Sequence, residues 1–167
     1  MDKRWILILV ILIIGLGSMY YIVDHSNTVG SAITTFSKTT ITIPDDFSVG
    51  DSGNDHVELY NKKNSEKITI KDNGKGNTAS KTLKKLSEDY GNNDYDNITN
   101  NTERINKQKV YNLYLTNDNG TEQISVFYRQ NHTYTAIFEN FKNDGNIEKN
   151  LKFIIETMTP DYKQGKD

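Results

Sequence analysis

The sequence predicts an α+β domain behind an N-terminal transmembrane helix: an antiparallel β-sheet that ends in a three-strand meander and is packed by two helices. Three observations predict it. Between Gln108 and Asn140 apolar and polar residues alternate, and two clusters of turn residues interrupt the alternation; a period of two belongs to strands. Two further stretches, 78–90 and 147–158, return apolar residues at helical spacing. Trp5 to Val23 holds no charged residue.

That uncharged run, WILILVILIIGLGSMYYIV, would extend about 28 Å as a helix, near the hydrocarbon thickness of a bilayer. Lys3 and Arg4 precede it, and Trp5 and Tyr20-Tyr21 mark its ends. Aromatic residues suit the two interfaces and basic residues stay on the cytoplasmic side, so the rest of the chain is expected outside the cell membrane. Residues 1–23 are read as a membrane anchor. The other reading is a cleaved signal sequence, with Ile6 to Ile14 as its core and Gly15-Leu16-Gly17-Ser18 near the cut, which would leave the protein secreted. The apolar run continues to Val23, which favours the anchor. Residues 24–38, DHSNTVGSAITTFSK, are rich in Ser, Thr and Asn and predict a tether.

The extracytoplasmic domain is expected over residues 39–158. TTITI at Thr39 to Ile43 alternates as a short strand, Pro44 ends it, and Phe47 and Val49 are expected to return to the core. Gly50-Asp51-Ser52-Gly53 matches the surroundings of the nucleophilic serine in trypsin-like proteases. Such an enzyme needs a histidine and an aspartate earlier in the chain, and the only earlier histidine is His25 in the tether, so the segment is read as a glycine-rich turn. HVELYN (56–61) and EKITIK (66–71) predict a hairpin, and DNGKGN (72–77) a loop without the phosphate-loop pattern. Ala79, Leu83, Leu86 and Tyr90 line one face of the first helix, with Asn77 or Thr78 as N-cap. GNNDYD stops it and lacks the ligand spacing of a calcium loop. Ile98 to Ile105 predicts another strand.

The meander follows. Asn117-Asp118-Asn119-Gly120 tolerates positive φ and makes the first hairpin, and Gln130-Asn131-His132 is short enough for the second. Read strand by strand, one face takes Tyr111, Leu113, Ile124, Val126, Tyr134 and Phe138, and the second carries Val110, Tyr114, Phe127 and Ile137. A sheet with one wet face alternates cleanly with polar residues. These apolar residues on the second face predict cover on both sides, a helix–sheet–helix sandwich; the competing expectation is an exposed binding surface at Tyr114, Phe127 and Ile137. Ile147, Leu151, Ile154, Ile155 and Met158 give the second helix, Pro160 ends it, and residues 159–167 are expected to form a mobile tail.

Composition excludes several classes. There is no cysteine, hence no disulfide framework, thiolate site or cysteine nucleophile. A net charge of −2 gives no electrostatic ground for nucleic-acid binding. No cofactor or metal motif is present, and the histidines at 25, 56 and 132 form no recognisable catalytic spacing. Asn97, Asn100, Asn119 and Asn131 begin Asn-x-Ser/Thr sequons, possible glycosylation sites outside the membrane, at a frequency this composition would produce by chance.

The element order strand, hairpin pair, helix, strand, meander, helix, with TITIPDDF, INKQKVYNLYL, TYTAIFEN and the last helix, resembles the PsbP-like fold, named for the extrinsic subunit of photosystem II. The resemblance covers about residues 39–158. Anchor, asparagine-rich tether and one such domain together are similar to membrane-anchored envelope proteins of methanogenic archaea. The resemblance implies an α/β/α sandwich with a non-catalytic binding or assembly role and an envelope protein as partner, and it carries no functional residues over. The alternative is a carrier of a small molecule or lipid, with a pocket lined by Tyr111, Tyr114, Tyr128, Tyr134 and Phe138.

Overall fold

The computed structural model describes residues 32–61, 63–91, 95–117, 120–142 and 144–161, all within one compact unit, Ala32–Asp167. The proposed anchor, residues 24–31 of the tether, His25, Asn119 and residues 162–167 of the tail lie outside the described residues.

Among the described residues ten strands and two helices follow one another: β1 (Ile33–Phe36), β2 (Thr39–Thr42), β3 (Phe47–Ser52), β4 (His56–Asn61), β5 (Lys67–Lys75), α1 (Ala79–Tyr90), β6 (Asn97–Ile105), β7 (Gln108–Asn117), β8 (Gly120–Arg129), β9 (His132–Glu139), α2 (Asp144–Thr157) and β10 (Thr159–Pro160). Seven strands form one antiparallel sheet in the order β3-β4-β5-β9-β8-β7-β6, and β1-β2-β10 form a small second one. The meander β7–β8–β9 sits where the alternation placed it.

Both faces of the large sheet are covered. On one, Val57, Leu59, Ile68, Ile70, Phe127 and Phe138 are buried against Ile147, Leu151, Ile154 and Ile155 of α2 and against Phe36 and Ile41 of the small sheet. On the other, Leu113, Leu115, Ile124 and Val126 are buried, with Ala79, Leu83, Leu86 and Tyr90 of α1 packed on them. Burying one such side chain stabilises by about 1.5–3 kcal/mol. Thr78 caps α1, its hydroxyl accepting from Lys81 N–H at 3.3 Å. The last turn of α2 carries no basic residue, and the guanidinium of Arg129 on β8 donates to the Ile155 carbonyl instead.

Four expectations are corrected. The tether boundary at 38 is too late, because Ile33–Phe36 pairs with β2 and buries Phe36. The tail is not loose from its start, because Thr159 and Pro160 pair with Thr40 and Thr39. Gly50 to Ser52 belong to β3 rather than to a turn, with the register slipping between Val49 and Ser52 and Val49 left 40% exposed. Residues 72–75 extend β5 past a bulge instead of opening a loop.

A fifth correction concerns the faces. The second meander turn has two residues, not three: Gln130 and Asn131 take φ of 44° and 70°, and Arg129 faces His132. A one-residue change of register moves a whole strand to the other face. Tyr134, Ala136 and Phe138 therefore join Phe127 on the α2 face, while Ile137 joins Ile124 on the α1 face.

Candidate binding surfaces

The predicted surface Tyr114, Phe127 and Ile137 does not come together. Phe127 is fully buried on the α2 face and stacks on Tyr134 at 5.8 Å between ring centroids. Ile137 is on the opposite face, packed into the cluster under α1. Tyr114 stays half-exposed at the β6 side of the α2 face, where its hydroxyl accepts from Asn101 Nδ2 at 3.3 Å. The aromatic residues of the carrier reading are divided as well. Tyr134 and Phe138 are sealed in the α2-side core; Tyr111 and Tyr128 belong to the α1 face, Tyr111 beneath the Lys109 ammonium at 4.7 Å and Tyr128 42% exposed.

Two of the histidines can be placed. His132 opens β9 and is buried, with Nδ1 2.9 Å from both carboxylate oxygens of Asp72. Asp72 also accepts from Ser37 Oγ at 2.7 Å and from Gly74 N–H at 2.8 Å. Next to it, the hydroxyls of Thr39 and Tyr134 are 2.7 Å apart. The Ser37 hydroxyl bonds the same carboxylate that holds the imidazole, so the three side chains meet at Asp72. What the carboxylate gathers is the β1–β2 turn, the β5 bulge and β9, which fastens the small sheet to the large one. The sequence does not announce the pair, because DNGKGN reads as a loop that starts at Asp72. The signal was the continued period Ile68, Ile70, Asp72, an inward position.

His56 is different. It is at the surface, with Nδ1 3.0 Å from Asp55 and Nε2 3.6 Å from Asp51, and the hydrogen bond to Asp55 holds its pKa above the ordinary histidine value. Among the described residues no group of three His, Asp or Glu side chains is placed to hold a metal ion. Burial and the neighbouring Glu122 push the Tyr95 phenol up to about 12, far from acid–base work at neutral pH.

Among the described residues the surface carries shallow grooves with many polar lining side chains. One of about 470 Å³ lies between β5 and α1, lined by Lys71, Lys81 and Lys85 with Asp55, Asn73 and Asn77. Another of about 360 Å³ runs between Asp45-Asp46 and the Lys149–Phe153 side of α2. Of the sequons, Asn97 and Asn100 are exposed on β6, and Asn131 is exposed in the β8–β9 turn, where it accepts from Tyr128. No helix among the described residues is long and apolar enough to cross a membrane.

No protein-family model matches the chain, and no curated protein matches it. Solved structures do. A crystal structure from Bacteroides thetaiotaomicron VPI-5482 is similar over 82% of this chain, with a TM-score of 0.53 and 18% identity; the present chain spans half the length of that one. The solution structure of cyanobacterial PsbP (CyanoP) from Synechocystis sp. PCC 6803 is also a neighbour, with a TM-score of 0.46, 14% identity, and 79% of this chain and 95% of that chain covered. The first likeness is one of fold, an α+β sheet with two helices.

Proposed function

We propose that the chain is a membrane-tethered extracytoplasmic domain without catalytic activity, which binds or helps assemble another envelope protein. The observation that carries the reading is the closure of both faces: Phe127, Tyr134 and Phe138 are sealed under α2, and Leu113, Ile124 and Val126 lie under α1. A carrier needs an open aromatic cavity, and the side chains that would line it are split between those two faces. A hydrolase needs a base that reaches a nucleophile, and His132 is held by Asp72 instead. The remaining asset is a rigid scaffold with polar surfaces and edges, as a binding module uses. The anchor rests on the uncharged run Trp5–Val23.

The test is the native and denatured mass of the protein purified from its own membranes. The expected result is a chain that retains residues 1–23, loses no small mass on denaturation and brings a second polypeptide with it. A small mass lost on denaturation would replace this reading by the carrier. Absence of residues 1–23 would make the protein secreted.

A further inference from the structure

We propose that the free edge of β6 pairs with β6 of a second copy of this chain, antiparallel, about a two-fold axis at Asn101, so that two seven-stranded sheets become one. This goes beyond the proposed function and does not depend on the identity of the envelope partner.

The argument starts from the turn. β6 and β7 pair without a break over nine residues, from Asn97↔Thr116 to Ile105↔Gln108. Only Asn106 and Lys107 separate them, with φ of 49° and 67°, the left-handed pair of a two-residue hairpin. In such a hairpin the flanking residues, Ile105 and Gln108, exchange both backbone bonds, and bonded and non-bonded pairs then alternate along the ladder. Odd-numbered residues of β6 spend their backbone groups on β7. The far end agrees: Asp96 N–H donates to Thr116 O at 2.9 Å beside the Asn97↔Thr116 pair, as a bulge after a bonded pair requires. The N–H and C=O groups of Ile98, Asn100, Thr102 and Arg104 therefore point away from the sheet. β6 is the last strand in the order, so among the described residues no strand meets them.

Such an edge is a template for another strand, and proteins usually blunt it with lysine, proline, a bulge or a short strand. β6 contains no lysine and no proline, carries one acid and one base, Glu103 and Arg104, near one end, runs nine residues, and keeps its register from Asn97 to Ile105, with the bulge just before it at Asp96. Its own sequence is a compatible partner. With the axis at Asn101, Ile98 faces Arg104 of the second copy and Asn100 faces Thr102. All four outward N–H and all four outward C=O groups of each copy then find partners. Moving the axis by one residue leaves an outward residue of each copy opposite no strand. No like charges meet: Glu103 faces Thr99, and the Arg104 stem lies along Ile98, which already packs on the cluster under α1. On the other face Asn101 meets Asn101, and an amide supplies both donor and acceptor.

The experiment is the native mass of the full chain in detergent micelles at a range of protein concentrations. The expected result is a dimer. Thr102→Pro removes an outward N–H from each copy and none from the β6–β7 ladder, and should weaken self-association by roughly 30-fold, two lost hydrogen bonds per dimer, with an unchanged circular dichroism spectrum. Should that variant misfold, a charge pair decides. Asn100→Lys with Thr102→Lys sets lysines opposite one another and should give monomers, as should Asn100→Glu with Thr102→Glu. Mixing the two proteins should give a heterodimer, because the antiparallel register sets each lysine against a glutamate. A monomeric wild type, a dimer that survives all these changes, or a monomer carrying a glycan on Asn100 in protein from its own membranes would each overturn the proposal. So would a co-purifying polypeptide of another sequence that Thr102→Pro releases from a monomer.

Discussion

At one end of the seven-stranded sheet, β3 runs six residues, slips register between Val49 and Ser52, and places Gly50 under the ring of Tyr60. Gly53, just beyond it, lies against the imidazole of His56. At the other end, β6 runs nine residues in unbroken register and shows Thr, Asn and Arg side chains to solvent. A twisted strand end, glycines roofed by cross-strand aromatic residues and a cluster of charges are how a sheet closes an edge. The β3 end has all three, since Asp51 and Asp55 surround His56. The same chain thus finishes one edge and leaves the other regular, polar and pairable. The β6 edge offers few apolar side chains to a wrong partner, as the proposed pairing with a second copy requires.

The largest expected effect breaks the assignment of inward and outward residues on β6. Asn101 faces Asn112, and its Oδ1 accepts from Asn112 Nδ2 at 3.1 Å. Asn101→Pro removes a ladder N–H and leaves its acceptor on β7 unpaired, which should cost about 1–3 kcal/mol, read as a lower urea midpoint. Thr102→Pro, one residue away, should cost the fold of a single copy well under about 1 kcal/mol, because its N–H makes no bond within its own sheet. A larger cost for Thr102→Pro than for Asn101→Pro would mean that the alternation runs the other way, and equal costs would remove the distinction between inward and outward residues.

This alternation also shows what the sequence could and could not yield. The meander, both helices, Thr78 as cap and the cover on both sheet faces are written locally, in period and in turn residues. The faces of β9 are not, because they depend on whether His132 belongs to a turn or a strand, and that one residue decides where Phe138 and Ile137 point. Tertiary pairing hid other parts. Ile33–Phe36 reads as tether until Thr39–Thr42 lies beside it, and Thr159-Pro160 reads as tail until Thr40 does. The Asp72–His132 pair joins residues from two strands 60 positions apart, and no local pattern announces it. The open edge was legible only in part: NITNNTERI shows a polar strand, but only the strand order makes it the last one.

At the β3 edge the effects are smaller. A Cβ on Gly50 would stand 2.1 Å from Tyr60 Cδ2, so Gly50→Ala must push the ring aside and strain its hydrogen bond to Glu58, 2.6 Å long. The ring is 38% exposed and has room to move, so the expected loss is about 1 kcal/mol, at the low end for overpacking. Thermal unfolding of the full chain measures it. A neutral result would show that Tyr60 does not hold the β3 edge.

The smallest effect separates the two edges by pH. His56 is held above its ordinary 6.5, first by its hydrogen bond to Asp55, and Asp55 is held below its ordinary 3.8, first by the same bond. A raised histidine pKa contributes stability that is fully present below 6.5 and lost as pH rises through the raised value; a lowered aspartate pKa contributes stability that is present above 3.8 and lost as pH falls through the lowered one. The cluster therefore holds β3 best between those two ordinary values. Gly53 N–H, which donates to His56 O at 2.9 Å, reports on it. Its exchange protection should fall as pH rises past the His56 midpoint, while protection of Asn101 on β6 stays level over the same range. Asp55→Asn should bring the His56 midpoint, followed by NMR, down toward 6.5 and flatten the Gly53 response. An unmoved midpoint would assign the shift to Asp51 alone, and a parallel fall at Asn101 would mean that the two edges open together and are not independent ends of the sheet.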